Sequence, residues 1–208
     1  MALYHRASIV PSKPEVLAEW VPTQPWCAAD EITPIGAFRF DDPLHQVGLE
    51  THVVDADGQA LMVPLTYRSE PVEDGEAALV RTIEHSALGT RWVYDGFGDT
   101  TYLTMLAAVS LTGQGEALGM VEVDGRWVMA PANVRISGGG WPNERIPVDG
   151  LAETRRSDDG ATTFANERFE LTAHRALHTG PAPAVGLTAT WDGLDGAVVM
   201  TEVRSLAD

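Results

Sequence analysis

An α+β fold, an antiparallel curved sheet packed by two or three helices, is predicted for this chain by three observations. Residues 34–68 alternate apolar and polar side chains with a period of two. Asp57-Gly58 and Asp124-Gly125, pairs that tolerate positive φ in tight hairpins, punctuate such stretches. Residues 12–20, 76–88 and 99–111 switch to helical spacing or carry helix start signals, so strands and helices share one core.

Taken in order, residues 3–10 alternate as a strand that ends at Pro11. Ser12-Lys-Pro-Glu15 then has the form of a capping box, with Pro14 in the permissive first turn, and opens a short helix to about Trp20. Three strands follow, near 34–40, 46–54 and 60–68. Val47, Leu49, Thr51 and Val53 share one face of the second, and Leu61, Val63, Leu65 and Tyr67 one face of the third. This pattern predicts an antiparallel meander with a single buried face.

Leu79, Val80, Ile83 and Ala87 form a helical stripe, with Gly89 as the C-terminal stop. Residues 91–94 are extended again. A further helix over 99–111 turns Tyr102, Leu103, Leu106 and Val109 inward. Beyond Gly113 the pattern is mostly β, with strands near 118–123, 126–130, 133–137, 162–165, 168–177, 185–191 and 197–204. Residues 153–160 read as an exposed loop, and Asp192 to Gly196 as the last turn. The expected organisation is a domain over 1–112 and a β-rich extension over 113–208 packed on it.

Thirty acidic residues against fourteen Lys and Arg give a net charge of −16, and Lys13 is the single lysine. Such a charge repels phosphate backbones and anionic lipid, which argues against nucleic-acid or membrane-surface partners. A basic protein partner remains compatible. No apolar run reaches the roughly 18 residues of a membrane span. Met1 to Arg6 lacks the layout of a signal peptide, and one cysteine, Cys27, demands no oxidising compartment, so a cytoplasmic protein is expected.

Several phrases point to a family: Pro11-Ser-Lys-Pro14, Pro22-Thr-Gln-Pro-Trp26, Gly36-Ala-Phe-Arg-Phe-Asp-Asp-Pro43, Val63-Pro-Leu-Thr-Tyr-Arg68, Glu84-His-Ser-Ala-Leu-Gly89 and Arg91-Trp-Val-Tyr-Asp-Gly96. Together they resemble the N-terminal cap domain of actinobacterial maltokinases and related aminoglycoside-phosphotransferase-like sugar kinases, over about residues 3–105. The resemblance implies a cap-like, cystatin-like sheet and a link to trehalose, maltose or glucan metabolism. At 208 residues the expectation is a cap-like module without the two catalytic lobes, whose residues 134–208 depart from the kinase pattern.

The motifs of phosphoryl transfer are absent from the sequence. Kinases with this cap use a catalytic loop of the form His-x-Asp-x-x-x-x-Asn, yet none of the six histidines, 5, 45, 52, 85, 174 and 178, has Asp two residues later. Lys13, between a helix-capping Ser and Pro14, reads as a solvated first-turn residue. Gly138-Gly139-Gly140 could offer backbone N–H groups to an anion, but reads better as a flexible turn. Asp55 and Asp57 fail the spacing of a calcium loop, Asp41-Asp42-Pro43 is a turn formula, and Asp74 and Glu76 suit a helix start. No His or Cys spacing suits a metal. Catalytic residues, metal ligands and cofactors are therefore all expected to be none.

Five residues remain as surface binding candidates. Glu84 and His85 could do acid–base work or simply finish a helix. Arg91, Trp92 and Tyr94 could line a carbohydrate groove or pack in the core; if Trp92 and Tyr94 pack on the sheet, Arg91 and Val93 face the other way. Cys27 reads as a small buried apolar residue. The function expected is a non-catalytic protein-interaction or regulatory module, with a sugar kinase or another glucan-pathway enzyme as partner. The alternatives are a carbohydrate or sugar-phosphate binder or cryptic enzyme, and a structural homo-oligomer that self-associates through exposed strand edges.

Overall fold

A computed structural model describes residues 2–4, 8–72, 78–130, 132–140 and 142–206. It is mostly antiparallel β-sheet with two short helices. The elements run β1 (Ala2–Tyr4), β2 (Ile9–Val10), α1 (Lys13–Trp20), β3 (Thr33–Phe40), β4 (Gly48–Ala56), β5 (Gln59–Arg68), β6 (Leu79–His85), β7 (Gly89–Asp95) and α2 (Thr100–Ser110). They continue with β8 (Gly119–Val123), β9 (Arg126–Met129), β10 (Val134–Gly139), β11 (Ala152–Arg156), β12 (Thr162–Ala165), β13 (Phe169–Thr179), β14 (Gly186–Trp191) and β15 (Val198–Ser205).

Local chemistry explains most of these boundaries. At α1 the Glu15 carboxylate accepts the N–H and the hydroxyl of Ser12, the reach-back expected of a capping box. Asp99 caps α2, its side chain accepting the Thr101 N–H at 2.9 Å. Asp57 and Gly58 take φ values of 54° and 86° and close the two-residue β4–β5 hairpin. Asp124 and Gly125 do the same between β8 and β9.

Two predicted segments differ. Residues 79–88 are not a helix: Leu79–His85 is strand β6, paired with β7 from Leu79↔Tyr94 to His85↔Gly89. Gly89, at φ 73°, closes the hairpin turn instead of ending a helix. The β-branched residues Val80, Thr82 and Ile83 favour the pleat, and pairing with β7 outweighs the coincidental helical spacing. Residues 153–160 also do not form one loop, because β11 pairs with β12 while leaving its five side chains exposed. The helix-start reading of Asp74 and Glu76 lies outside the described residues.

Strands β3, β4, β5, β7, β6 and β2 form one run of sheet, and β11, β12, β13, β15, β14 and β10 another, joined where Ala176 of β13 meets Leu61 of β5. Among the described residues every strand pair is antiparallel except β1 with β8. β4 and β5 are buried on both faces, contrary to the single buried face expected. Val54, Leu61, Val63 and Leu65 pack with Val16, Leu17 and Val21 of the α1 segment. Phe38, Leu49, Val53 and Met62 pack on the other side with Tyr102, Leu106 and Val109 of α2 and with Leu171, Leu187 and Met200 from the later strands. The larger core thus draws residues from both sides of position 113. Buried hydroxyls are paired across it: Thr51 with Tyr102 at 2.6 Å and Ser110 with Thr201 at 2.7 Å. No described helix is long and apolar enough to cross a membrane.

Candidate functional site

Strand register builds a polar cleft at the α1 end of the first sheet. Arg39 of β3 stands opposite Glu50 of β4, Leu65 opposite the same glutamate, and Tyr67 of β5 opposite Gly48. Side chains directly opposite share a face, so Arg39, Glu50 and Tyr67 meet on the α1 side, with His52 two residues further along. Lys13, in the first turn of α1, reaches down to form an ion pair with the Glu50 carboxylate. Its ammonium also sits 5.1 Å from the centre of the Tyr67 ring. Lys13 is therefore not the solvated residue expected.

Glu50 and His52 are both buried, with His52 Nε2 4.0 Å from the carboxylate and 3.5 Å from the Tyr67 hydroxyl. Burial opposes ionisation of Glu50, but His52 when charged, Lys13 and Arg39 outweigh it and hold its pKa below the usual value. Burial likewise lowers the His52 pKa, against the pull of Glu50, so the ring favours its neutral form. Burial raises the Tyr67 phenol well above its ordinary value. The Arg39 Nε is covered and has no hydrogen-bond partner.

The cleft above this cluster holds about 470 Å³ and is also lined by His85 and Arg91. Two of the five candidates from the sequence thus meet at one place. The other three do not. Trp92 is half-buried, opposite Thr82 and Arg68, and Tyr94 is buried, its hydroxyl accepting the Val72 N–H at 2.9 Å. Arg91 and Val93 indeed lie on the face opposite to Trp92 and Tyr94. Glu84 is exposed and accepts the Thr90 hydroxyl. His85 accepts the Ala87 and Leu88 N–H groups at Nδ1, so a strand end and not a helix end positions it.

The remaining motifs have structural uses. Asp42 is buried and accepts N–H groups from Leu44, Gln46 and Val47, which hold its pKa down against burial. Asp55 accepts the Gly58 N–H in its hairpin. Gly138 lies in β10, not in a free turn, and a Cβ there would stand 2.2 Å from the carbonyl oxygens of Val109 and Thr112. Cys27 is half-buried, its thiol 3.5 Å from the Ala29 carbonyl. Among the described residues no three His, Cys, Asp or Glu side chains converge as metal ligands.

Sequence reasoning passed over Arg39, Glu50 and His52. The available signal was a run of charged and polar residues at alternating positions facing an otherwise apolar stripe. It also located the β8–β9 hairpin without anticipating its exposure. All four residues of β9 are exposed, Trp127 at 57%, Val128 at 45% and Met129 at 59%. β9 pairs with β8 alone, so its outer edge is open among the described residues. Val123 and Leu118 of the same segment are also exposed.

Residues 20–99 match the family model of the maltokinase N-terminal cap domain. Over that span the chain is similar to this cap-like family. The match includes Arg39, Gly48, Glu50, His52, Tyr67 and Asp95, and excludes Lys13, α2 and the β8–β9 hairpin. No curated protein matches the sequence.

Proposed function

We propose that this chain is a non-catalytic protein-interaction module built on a maltokinase-type cap, which docks on a partner through the β8–β9 hairpin. The observation that carries this reading is the exposure of Trp127 and Met129 on one face, and of Val128 on the other, of a strand with an open edge. Apolar side chains concentrated on one protruding hairpin are costly in water and typical of contact surfaces, where tryptophan and methionine are enriched. An open edge adds backbone donors and acceptors that a partner strand can use.

Charge narrows the partner. Glu116, Glu122 and Asp124 accompany the hairpin, and the chain carries −16 overall. Two copies would repel each other, whereas a partner with a basic rim around an apolar groove is attracted. The family match favours a sugar kinase or another enzyme of glucan metabolism as that partner.

Sedimentation velocity of the chain alone, then mixed with a maltokinase-type catalytic chain at low and moderate salt, tests the reading. A complex that weakens with salt and is lost in Trp127→Glu supports it. No association at micromolar concentrations, self-association alone, or a complex untouched by Trp127→Glu overturns it.

A further inference from the structure

We infer that His174 and His178 form a proton-sensitive clasp over a bulge in β13, and that protonation of the pair loosens the joint between the two runs of sheet. The β8–β9 hairpin takes no part in it, so the clasp is independent of the docking reading.

The joint depends on an irregular stretch of strand. Ala173 of β13 pairs with Thr201 of β15 and His178 pairs with Val199, so residues 174–177 stand against Met200 alone. These extra residues carry β13 across to β5, where Ala176 meets Leu61 and the two runs join. The buried Arg175 anchors the bulge to the Asp95 carboxylate, and the Leu177 carbonyl accepts the Gln59 side-chain N–H at 2.7 Å. The histidines close the other side. Residues four apart in a regular strand are separated by about 13 Å. Here the two ring centres lie 4.8 Å apart, edge to face, across the bulge. Neutral rings pack favourably in that arrangement, whereas two imidazolium rings so close repel each other.

The surrounding charges do not cancel that repulsion. Glu202 of β15 has Oε2 3.3 Å from His174 Nε2, but its side chain is 56% exposed, so water screens it. Asp159, in the turn between β11 and β12, also acts on His174, but its carboxylate is engaged by the Ser157 hydroxyl and the Ala161 N–H. Further along the same face Glu170 and Arg204 neutralise each other. Arg175 is met by Asp95, and Val199, Leu61 and Gln59 are neutral. Burial of the His174 ring, together with His178, outweighs the two carboxylates and lowers the His174 pKa. The closed joint thus favours the neutral ring, while an opened joint takes up the proton near the free value of about 6.5. The clasp holds above pH ~6.5, and its hold is lost as pH falls through the folded pKa.

The test is backbone hydrogen exchange of the full chain from about pH 7.5 to about pH 5.5, with each rate expressed as protection relative to the intrinsic rate at that pH. Amides 60–62 and 175–177 report the joint. Amides 187–189 of β14, a strand paired on both sides, serve as the reference. On acidification, protection at the joint should fall roughly fivefold more than at the reference, a reading that needs no substitution. His178→Phe keeps a ring against His174 and removes one charge, so it should reduce that excess to about twofold or less. His52→Gln, which removes the buried histidine of the first run, should leave the excess in place. The inference is overturned if joint and reference lose protection together, if the excess persists in His178→Phe, or if it disappears in His52→Gln.

Discussion

The buried Arg175 and the half-buried Asp95 form an ion pair that ties the two runs of sheet together. The Arg175 Nη2 donates to both oxygens of Asp95, at 2.6 Å to Oδ1, and the guanidinium is packed 4.0 Å from the Phe97 ring centre and 4.7 Å from that of Trp26. Asp95 belongs to β7 and Arg175 to β13, so the pair bridges residues eighty positions apart. Asp95 also accepts the Phe97 N–H, which fixes the turn leading to α2.

Removing Asp95 alone should therefore cost more than removing both partners. Asp95→Ala, which strands the more deeply buried charge, should destabilise by about 3–5 kcal/mol. Arg175→Met should cost less, since methionine keeps much of the packing between the two rings. The double variant should be more stable than Asp95→Ala alone. Urea unfolding of the three variants checks this ordering.

Asp99 combines a helix cap with an ion pair. Its carboxylate accepts from Arg68 Nε and Nη2 and from the Thr66 hydroxyl, each at 2.7 Å. Burial opposes its ionisation, but the hydrogen bonds from Arg68 and Thr66 prevail and lower its pKa. The stability it contributes is present above the unfolded value of about 3.9 and is lost as pH falls through the lower folded value. Asp99→Ala should cost about 2 kcal/mol or more at pH 7 and lose less than wild type on acidification, measured by urea midpoints from pH 7 to pH 3.

His52 acts in a higher window. Burial lowers its folded pKa below the unfolded value of about 6.5, so the unfolded chain binds the extra proton first. Its contribution is present above pH ~6.5 and is lost as pH falls through the folded pKa. His174, whose pKa is lowered by burial and by His178, works in the same direction. His52→Gln in a His174→Gln background should flatten the stability profile between neutral pH and pH ~5. An unchanged slope contradicts the placement of the ring.

Gly138→Ala tests the approach of β10 to the end of α2. The added methyl would meet two backbone oxygens at 2.2 Å, which no side-chain rotation relieves. A loss on the order of 3 kcal/mol, or failure to fold, is expected. Gly58→Ala has open space around it, and its cost, of about 1–2 kcal/mol, comes from φ 86° alone.

The exposed hairpin should separate binding from stability. Trp127→Glu removes no core contact, so its thermal midpoint should match wild type, with a free-energy change within about 0.5 kcal/mol. A large loss of stability would mean that the indole packs in the folded chain, and would withdraw it as a docking residue.

Local chemistry alone determined much of the fold. Alternation marked β3, β4 and β5, the Asp-Gly pairs marked their hairpins, Ser12 with Glu15 marked the start of α1, and the inward face of α2 was legible as Tyr102, Leu103, Leu106 and Val109. These signals sit within a few residues of each other, and neighbouring dihedral preferences suffice to express them. Residues 79–85 show where that ends. Their spacing fits a helix and their β-branched content a strand, and only the β7 partner decides between them. The candidate cleft was half legible: Arg91 and His85 stood out, but Arg39, Glu50 and His52 looked like ordinary polar positions in strands. Their meeting depends on which residues face each other across β3, β4 and β5, and on α1 folding back to bring Lys13 over Glu50. The Arg175–Asp95 pair and the burial of both faces of β4 were likewise decided only by tertiary structure. Contacts between residues far apart in the chain set which charges are desolvated together, and a local pattern cannot encode that.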